Sequence, residues 1–206
     1  MTRILLASAS PRRERLLRTA GFDPLVRPVD VDETIPDQPA EDLVLELARA
    51  KANAALNPFT PDPEAPAFGL TADTLVHLPG RPPLGKPRDR KHARSMLLDL
   101  SGRTHQVRTG VAILDTRNRR IATCFAIATD VRFRPLDPEE IDAYLDGDEA
   151  WDKAGAYAVQ GRAATFVESI HGSWTNVVGL PLTEVVSTLR ELGAFPVVPW
   201  RPHSPP

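Results

Sequence analysis

The sequence holds a single cysteine, Cys124. An internal disulfide is therefore excluded and a cysteine-built zinc site lacks ligands, which suits a reducing compartment. Aromatic residues are scarce at 6% and the formal net charge is only −2. Those two shortages leave little to stack bases on and no broad basic surface, so nucleic acid is not expected as a partner. No apolar run approaches a membrane span, and the stretch after Met1-Thr2-Arg3 is too short for a signal-peptide core, so a cytoplasmic location and no membrane partner are expected. The P-loop, G-x-G-x-x-G and H-E-x-x-H patterns are all missing. Lysine is rare too: arginine supplies 21 of the 25 basic residues. Lys51, Lys86 and Lys153 nevertheless all fall inside candidate motifs, where a compact, tunable ammonium differs in its chemistry from a guanidinium fork.

What is present is an ordinary globular composition, 42% hydrophobic and 25% charged over 206 residues, enough chain for a sizeable core. The densest stretch runs from Leu5 to Leu17. Ile4 to Ala7 reads as a short buried strand, and Pro11 after Ser10 reads as the first residue of a helix following its N-cap. A strand that hands directly to a helix aims free N–H groups and the positive end of the helix dipole at one point. Ser8, Ser10, Arg12 and Arg13 surround that point, and phosphate is the ligand they suit.

Further along, Phe22 to Val31 reads as a strand delivering Asp30, Asp32 and Glu33 into a loop, carboxylates that beside a phosphate site suit a divalent cation. Helical spacing over Pro39 to Leu56 sets Lys51 one turn beyond Leu47, and four prolines in Asn57 to Pro66 read as a loop. Ala67 to Leu78 reads as a strand with Asp73 in its middle. A charge buried there is costly unless paired or chemically used, so Asp73 is the candidate base or metal-linked carboxylate. Gly85-Lys86-Pro87 precedes a helix over Asp89 to Leu100, and Thr104 to Leu114 with Arg120 to Phe133 reads as a long hairpin. His105 within it reads as structural, since no second histidine lies at ligand spacing. A helix from Asp137 to Leu145 leads to Glu149 through Gly161, where Asp152, Lys153 and Gln160 stand among small residues that permit close approach. A strand, Phe166 to Ile170, and a last helix, Leu182 to Leu192, complete a domain over 1–193. The tail, 194–206, carries five prolines and is expected to be extended or disordered.

Four ordered motifs, Ser8-Ala9-Ser10-Pro11-Arg12-Arg13, Ala72-Asp73-Thr74, Gly85-Lys86-Pro87 and Asp152 through Gly161, together resemble the Maf-like proteins, relatives of a septum-formation inhibitor. The resemblance covers about Ile4 to Leu192. It implies an α/β fold, a long twisted mixed sheet flanked by helices with two lobes around a central cleft, as in the Maf and ITPase folds. It also implies hydrolysis of nucleoside triphosphates to monophosphate and pyrophosphate with a divalent metal, magnesium or manganese, and commonly a homodimer. On that basis Ser8, Ser10, Arg12, Arg13, Lys51 and Lys86 are expected to cradle phosphates. Glu33 and Asp73 are expected to hold metal and water, with Asp73 as base and Lys86 and Glu33 beside it as catalytic groups. Arg12, Thr74 and Gln160 match the dTTP- and UTP-hydrolysing branch, where an amide can pair with a pyrimidine edge, and Asp152 and Lys153 complete the binding set.

The chain departs from the family pattern in three places. Glu149-Ala150-Trp151-Asp152-Lys153 lacks the usual proline, Trp174 stands where tyrosine is usual, and Thr71 where glycine is common. Two other readings remain open at this level: a pyrophosphatase of the same fold acting on 7-methyl-GTP, and a nucleotide-binding regulator of septum formation that catalyses little.

Overall fold

The computed structural model describes residues 1–31, 40–57 and 65–199. The strands are β1 (Thr2–Leu6), β2 (Phe22–Val26), β3 (Phe68–His77), β4 (Thr104–Asp115), β5 (Arg120–Phe133) and β6 (Val167–His171). Between them lie helices α1 (Pro11–Thr19), α2 (Ala40–Leu56), α3 (Arg90–Leu100), α4 (Pro138–Leu145), α5 (Trp174–Val178) and α6 (Leu182–Glu191). The strands form one mixed sheet in the order β2-β1-β3-β4-β5-β6. β1 is parallel to both neighbours, and β3 through β6 are antiparallel.

β1 is apolar on both sides because the sheet is covered on both sides. Ile4 and Leu6 pack with Leu16 and Leu17 of α1 and Val185 and Leu189 of α6. Leu5 and Ala7 pack with Ala48, Ala52 and Ala55 of α2. A separate core gathers Ala93, Met96 and Leu97 of α3, Ile141 of α4 and Phe133 of β5 over the far ends of β3 and β4. Two lobes therefore share the central strands, the architecture expected from the sequence.

The gap between the lobes has a simple origin. β1 pairs with β3 only at Leu5↔Gly69 and Leu6↔Leu70, and the last contact is the Ala7 N–H on the Leu70 carbonyl at 3.0 Å. β3 runs on to His77 and is next met on that edge by Leu84, which exchanges both main-chain bonds with Val76. Between Leu70 and Val76 the edge is left to the cleft, and strand alternation turns the main chain of Ala72 and Thr74 toward it.

Three local findings differ from the sequence reading. β2 stops at Val26, leaving Asp30 exposed in the following segment. The segment ahead of the last helix contains α5, whose five residues are too few for a periodicity to register; the Ser173 hydroxyl caps it by accepting the Asn176 N–H at 3.2 Å. The tail is not extended or disordered from its start. Phe195 is 5% exposed and meets Phe22 edge to face at 5.8 Å, while the Pro199 carbonyl accepts the Thr2 N–H at 3.0 Å. One aromatic ring and one strand-end donor fix this part of the tail. Residues 200–206, and 58–64 of the loop expected over Asn57 to Pro66, lie outside the described residues.

Helix α2 lies directly on β4. An added Cβ at Gly110 would stand 2.2 Å from the Val44 carbonyl oxygen, so only glycine lets the helix backbone come this close. Gly110→Ala is expected to push α2 off the sheet and destabilise the protein by about 3 kcal/mol. Thermal unfolding should show this as a fall in Tm of roughly 6–12 °C; an unchanged Tm would mean that α2 does not press on β4 here.

Candidate active site

The turn from β1 into α1 is organised by Arg13, not by a helix cap. Ser10 occupies the N-cap position, yet its side chain caps nothing. Instead the buried Ser8 hydroxyl accepts the Ser10 N–H at 3.3 Å and an Arg13 Nη1–H at 3.1 Å. Arg13 also donates from Nε to the Gly179 carbonyl at 2.8 Å and from Nη2 to the Thr74 hydroxyl at 3.1 Å. A guanidinium presents its donors in a rigid fork, so Arg13 fixes the spacing of the β1–α1 turn, β3 and the end of α5 at once. Arg13, expected from the sequence to cradle phosphate, lines the cleft and braces these three segments.

Beside this corner, odd-numbered residues of β3 face α2. Thr71, fully buried, donates its hydroxyl to the Ala48 carbonyl at 2.7 Å; the residue that replaces a common glycine ties strand to helix. Two residues on, the Asp73 carboxylate accepts from the Lys51 ammonium at 2.5 Å, and both residues are 8% exposed. Burial makes each charge depend on the other. Thr74, next along, turns to the opposite face and joins Arg13.

The far wall comes from two loops. Gly85 accepts the Gly155 N–H at 3.1 Å, which holds the Gly85-Lys86-Pro87 turn against the 149–161 segment. Gly155 and Ala156 both adopt left-handed φ, 71° and 60°. For glycine that is free, and for alanine it is strained, a feature that collects at functional sites. Asp152 bridges Arg12 of α1, 3.1 Å away, and its neighbour Lys153. Burial works to raise the Asp152 carboxyl, but Lys153 and then Arg12 hold it below its ordinary value. Trp151 anchors the preceding turn by donating Nε1–H to the Gly147 carbonyl at 3.0 Å.

All of this surrounds one cleft of about 1330 Å³. Ser8, Ser10, Arg12 and Arg13 line one side, Lys51, Asp73 and Thr74 the floor, and Lys86, Asp152, Lys153 and Gln160 the other side. Of the residues singled out from sequence, Glu33 lies outside the described residues. Among the described residues no three His, Cys, Asp or Glu side chains cluster as a metal cage. Hard cations at phosphate sites need only one or two carboxylates, the substrate supplying further oxygens, and Asp73 meets that minimum. The donors present fit a cation that arrives largely on its phosphate ligand.

A family model described as Maf-like protein matches residues 3–192. The chain belongs to the Maf-like family. Within it, a dTTP/UTP pyrophosphatase of Citrifermentans bemidjiense is 48% identical over 193 residues, covering 93% of this chain and 96% of that protein. A dTTP/UTP pyrophosphatase of Anaeromyxobacter dehalogenans is 45% identical over 205 residues, covering 96% and 97%. Among solved structures, a HAM1 protein from Coxiella burnetii is similar with a TM-score of 0.48 at 14% identity, covering 93% of this chain and all of that one.

Sequence reasoning passed over the layer beneath the cleft. Thr109 and Asn176 are both fully buried; Thr109 meets Thr74 at 2.9 Å, and the Asn176 amide donates to the Val107 carbonyl and the Thr129 hydroxyl, each at 3.0 Å. A threonine on a strand and an asparagine after a cap carry no periodic signal, so only three-dimensional contact reveals them. The reading of His105 as structural agrees with its surroundings. His105 is fully buried, pairs Nε2 with the Tyr157 hydroxyl at 2.9 Å and stacks edge-on against Phe133.

Burial, opposed more weakly by Asp130, pulls the His105 imidazole down from 6.5 to about 4. Burial likewise raises Tyr157, so the pair stays neutral at physiological pH. Because the unfolded chain binds the proton first, the contribution of neutral His105 is complete above pH 6.5 and declines as pH falls toward 4. Stability should drop by about 3 kcal/mol across that window from this group alone. Urea unfolding of wild type and His105→Gln at pH 7 and pH 4.5 measures it: the variant should lose less on acidification, and equal losses would contradict a neutral buried imidazole.

Proposed function

We propose that this protein hydrolyses dTTP and UTP to the nucleoside monophosphate and pyrophosphate. The observation that carries the reading is the buried Lys51–Asp73 pair opening on the same cleft as the Ser8-to-Arg13 corner, in a chain whose 45–48% identical relatives are named dTTP/UTP pyrophosphatase. A buried carboxylate beside a polybasic corner is what attack of water on a polyanion needs. Asp73 accepts a proton from water as the oxygen attacks the α-phosphorus. The bond from that phosphorus to the bridging oxygen breaks, and pyrophosphate leaves carrying the charge. Arg12, Lys86 and Lys153 neutralise the phosphates, Ser8 offers them its hydroxyl, and Arg13 keeps Ser8 and Thr74 in register. Phosphate oxygens would compete with Asp152 for Arg12, because that exposed bridge is weak.

Magnesium or manganese belongs to the same proposal. Asp73 would hold the ion, with Glu33 the expected second carboxylate, and the ion supplies charge neutralisation and polarises a bound oxygen. The substrate is a free nucleotide and the workplace cytoplasmic, in keeping with the low net charge and single cysteine.

Asp73→Asn preserves an acceptor for Lys51 and removes the base. Turnover of dTTP is expected to fall by roughly 10²–10⁴, while calorimetric dTTP binding changes only a few-fold. Product analysis of the wild type should give dTMP and pyrophosphate, with activity lost to chelator and restored by magnesium. Release of inorganic phosphate and dTDP would defeat the reading.

A further inference from the structure

A chain of hydroxyls runs under the cleft from a cation to a carbonyl. Arg13 Nη2 donates to Thr74 Oγ1 at 3.1 Å, Thr74 and Thr109 hydroxyls meet at 2.9 Å, and Thr109 Oγ1 reaches the Asn176 carbonyl at 3.4 Å. Asn176 is itself locked by three acceptors of its side-chain amide, on Val107, Ile127 and Thr129. The protons of the two hydroxyls can point either way along such a chain, and its ends decide. A guanidinium has only donors, so Thr74 must accept from it. The adjacent positive charge turns the Thr74 proton away, toward Thr109. Thr109 is fully buried and passes its own proton to the carbonyl. Every proton is then satisfied inside the protein, and aligned hydrogen bonds strengthen one another. Reversing the chain would leave the Asn176 carbonyl to the Gly179 N–H at 2.9 Å and aim the Thr74 proton into the cleft.

The consequence is a fixed polarity at Thr74. Its proton and one lone pair are committed, so toward the cleft it offers only a lone pair. Phosphate oxygens, themselves acceptors, gain nothing from it; a hydrogen-bond donor of the nucleoside does. We propose that Thr109 is a specificity-determining positioning residue, which holds Thr74 as an obligate acceptor and thereby selects bases carrying an imide N–H. Uracil and thymine share that donor, and cytosine has an acceptor at the same ring position. The inference rests on the dTTP/UTP reading and adds to it why the two bases are taken together and a residue that no substrate touches enforces the choice.

Thr109→Val keeps shape and removes the relay, freeing the Thr74 proton to donate. In pyrophosphate-release assays with UTP and CTP, the variant should lose about tenfold in kcat/KM for UTP, chiefly through KM, and the UTP-to-CTP ratio should fall about tenfold. Thr109→Ser, which restores the hydroxyl, should return the ratio to that of wild type. If Thr109→Val fails to fold, Thr109→Ala makes the same test without branching at Cβ. An unchanged ratio, with UTP and CTP affected equally, overturns the role of Thr109 as a selector. Failure of the wild type to release pyrophosphate from UTP or dTTP would instead overturn the underlying function.

Discussion

The structure depends on a mismatch of strand lengths. β1 ends at Leu6 while β3, beside it, continues to His77. A sheet edge cannot be left to apolar packing, because its main-chain groups need partners. Pairing with β1 ends at Leu70, Leu84 takes up the same edge at Val76, and the interval between them brings Asp73 and Thr74 to the cleft. The Lys51–Asp73 pair at 2.5 Å sits in that interval. A buried pair of this kind contributes little net stability, yet removing one partner costs about 3–5 kcal/mol. Its retention is therefore explained better by what the cleft does than by what holds the fold.

Much of this geometry is legible in the amino-acid order because it is local. The strand-to-helix corner follows from an apolar run, a serine and a proline, and α3 follows from its apolar stripe. The capping Asp89 there accepts the His92 N–H at 2.7 Å, as such a residue should. Asp73 stands out because a carboxylate in an apolar strand violates the pattern around it, and such violations mark functional positions. What the order conceals is whatever depends on contact between distant segments. Arg13 reads as a phosphate ligand, and its bracing bonds to Ser8, Thr74 and Gly179 show only in three dimensions. Phe195 reads as part of a proline-rich tail, and nothing local announces Phe22 as its partner. Thr71 reads as a departure from a family glycine, and its bond to Ala48 becomes visible only when α2 is laid on the sheet.

The two kinds of ion pair around the cleft divide the work. Lys51 and Asp73 are buried, and their side chains retain 10% and 11% exposure; Asp152, bridged to Arg12, retains 62%. Exposed pairs are screened and contribute at most about 1 kcal/mol, so an incoming anion can displace Asp152 from Arg12 and Lys153 at little cost. A buried pair resists displacement and keeps its geometry when charge enters the site. The chemistry proposed for this protein assigns the base to the buried pair and phosphate recognition in part to Arg12 and Lys153, the cations that the exposed Asp152 can release.

Hydrogen-bond polarity adds a selectivity that charge alone cannot give. A triphosphate is the same polyanion on every nucleotide, so the basic residues fix the ligand class and not the base. Discrimination between bases requires a group whose donor or acceptor character is fixed, and a threonine hydroxyl is by nature free to be either. Here Thr74 is held from both sides, by a cation that can only donate and by a buried hydroxyl that is itself drained toward a carbonyl. The same arginine that braces the β1–α1 turn thus sets the direction of the proton chain at Thr74, and the proposed phosphate binding and proposed base choice are joined through one guanidinium.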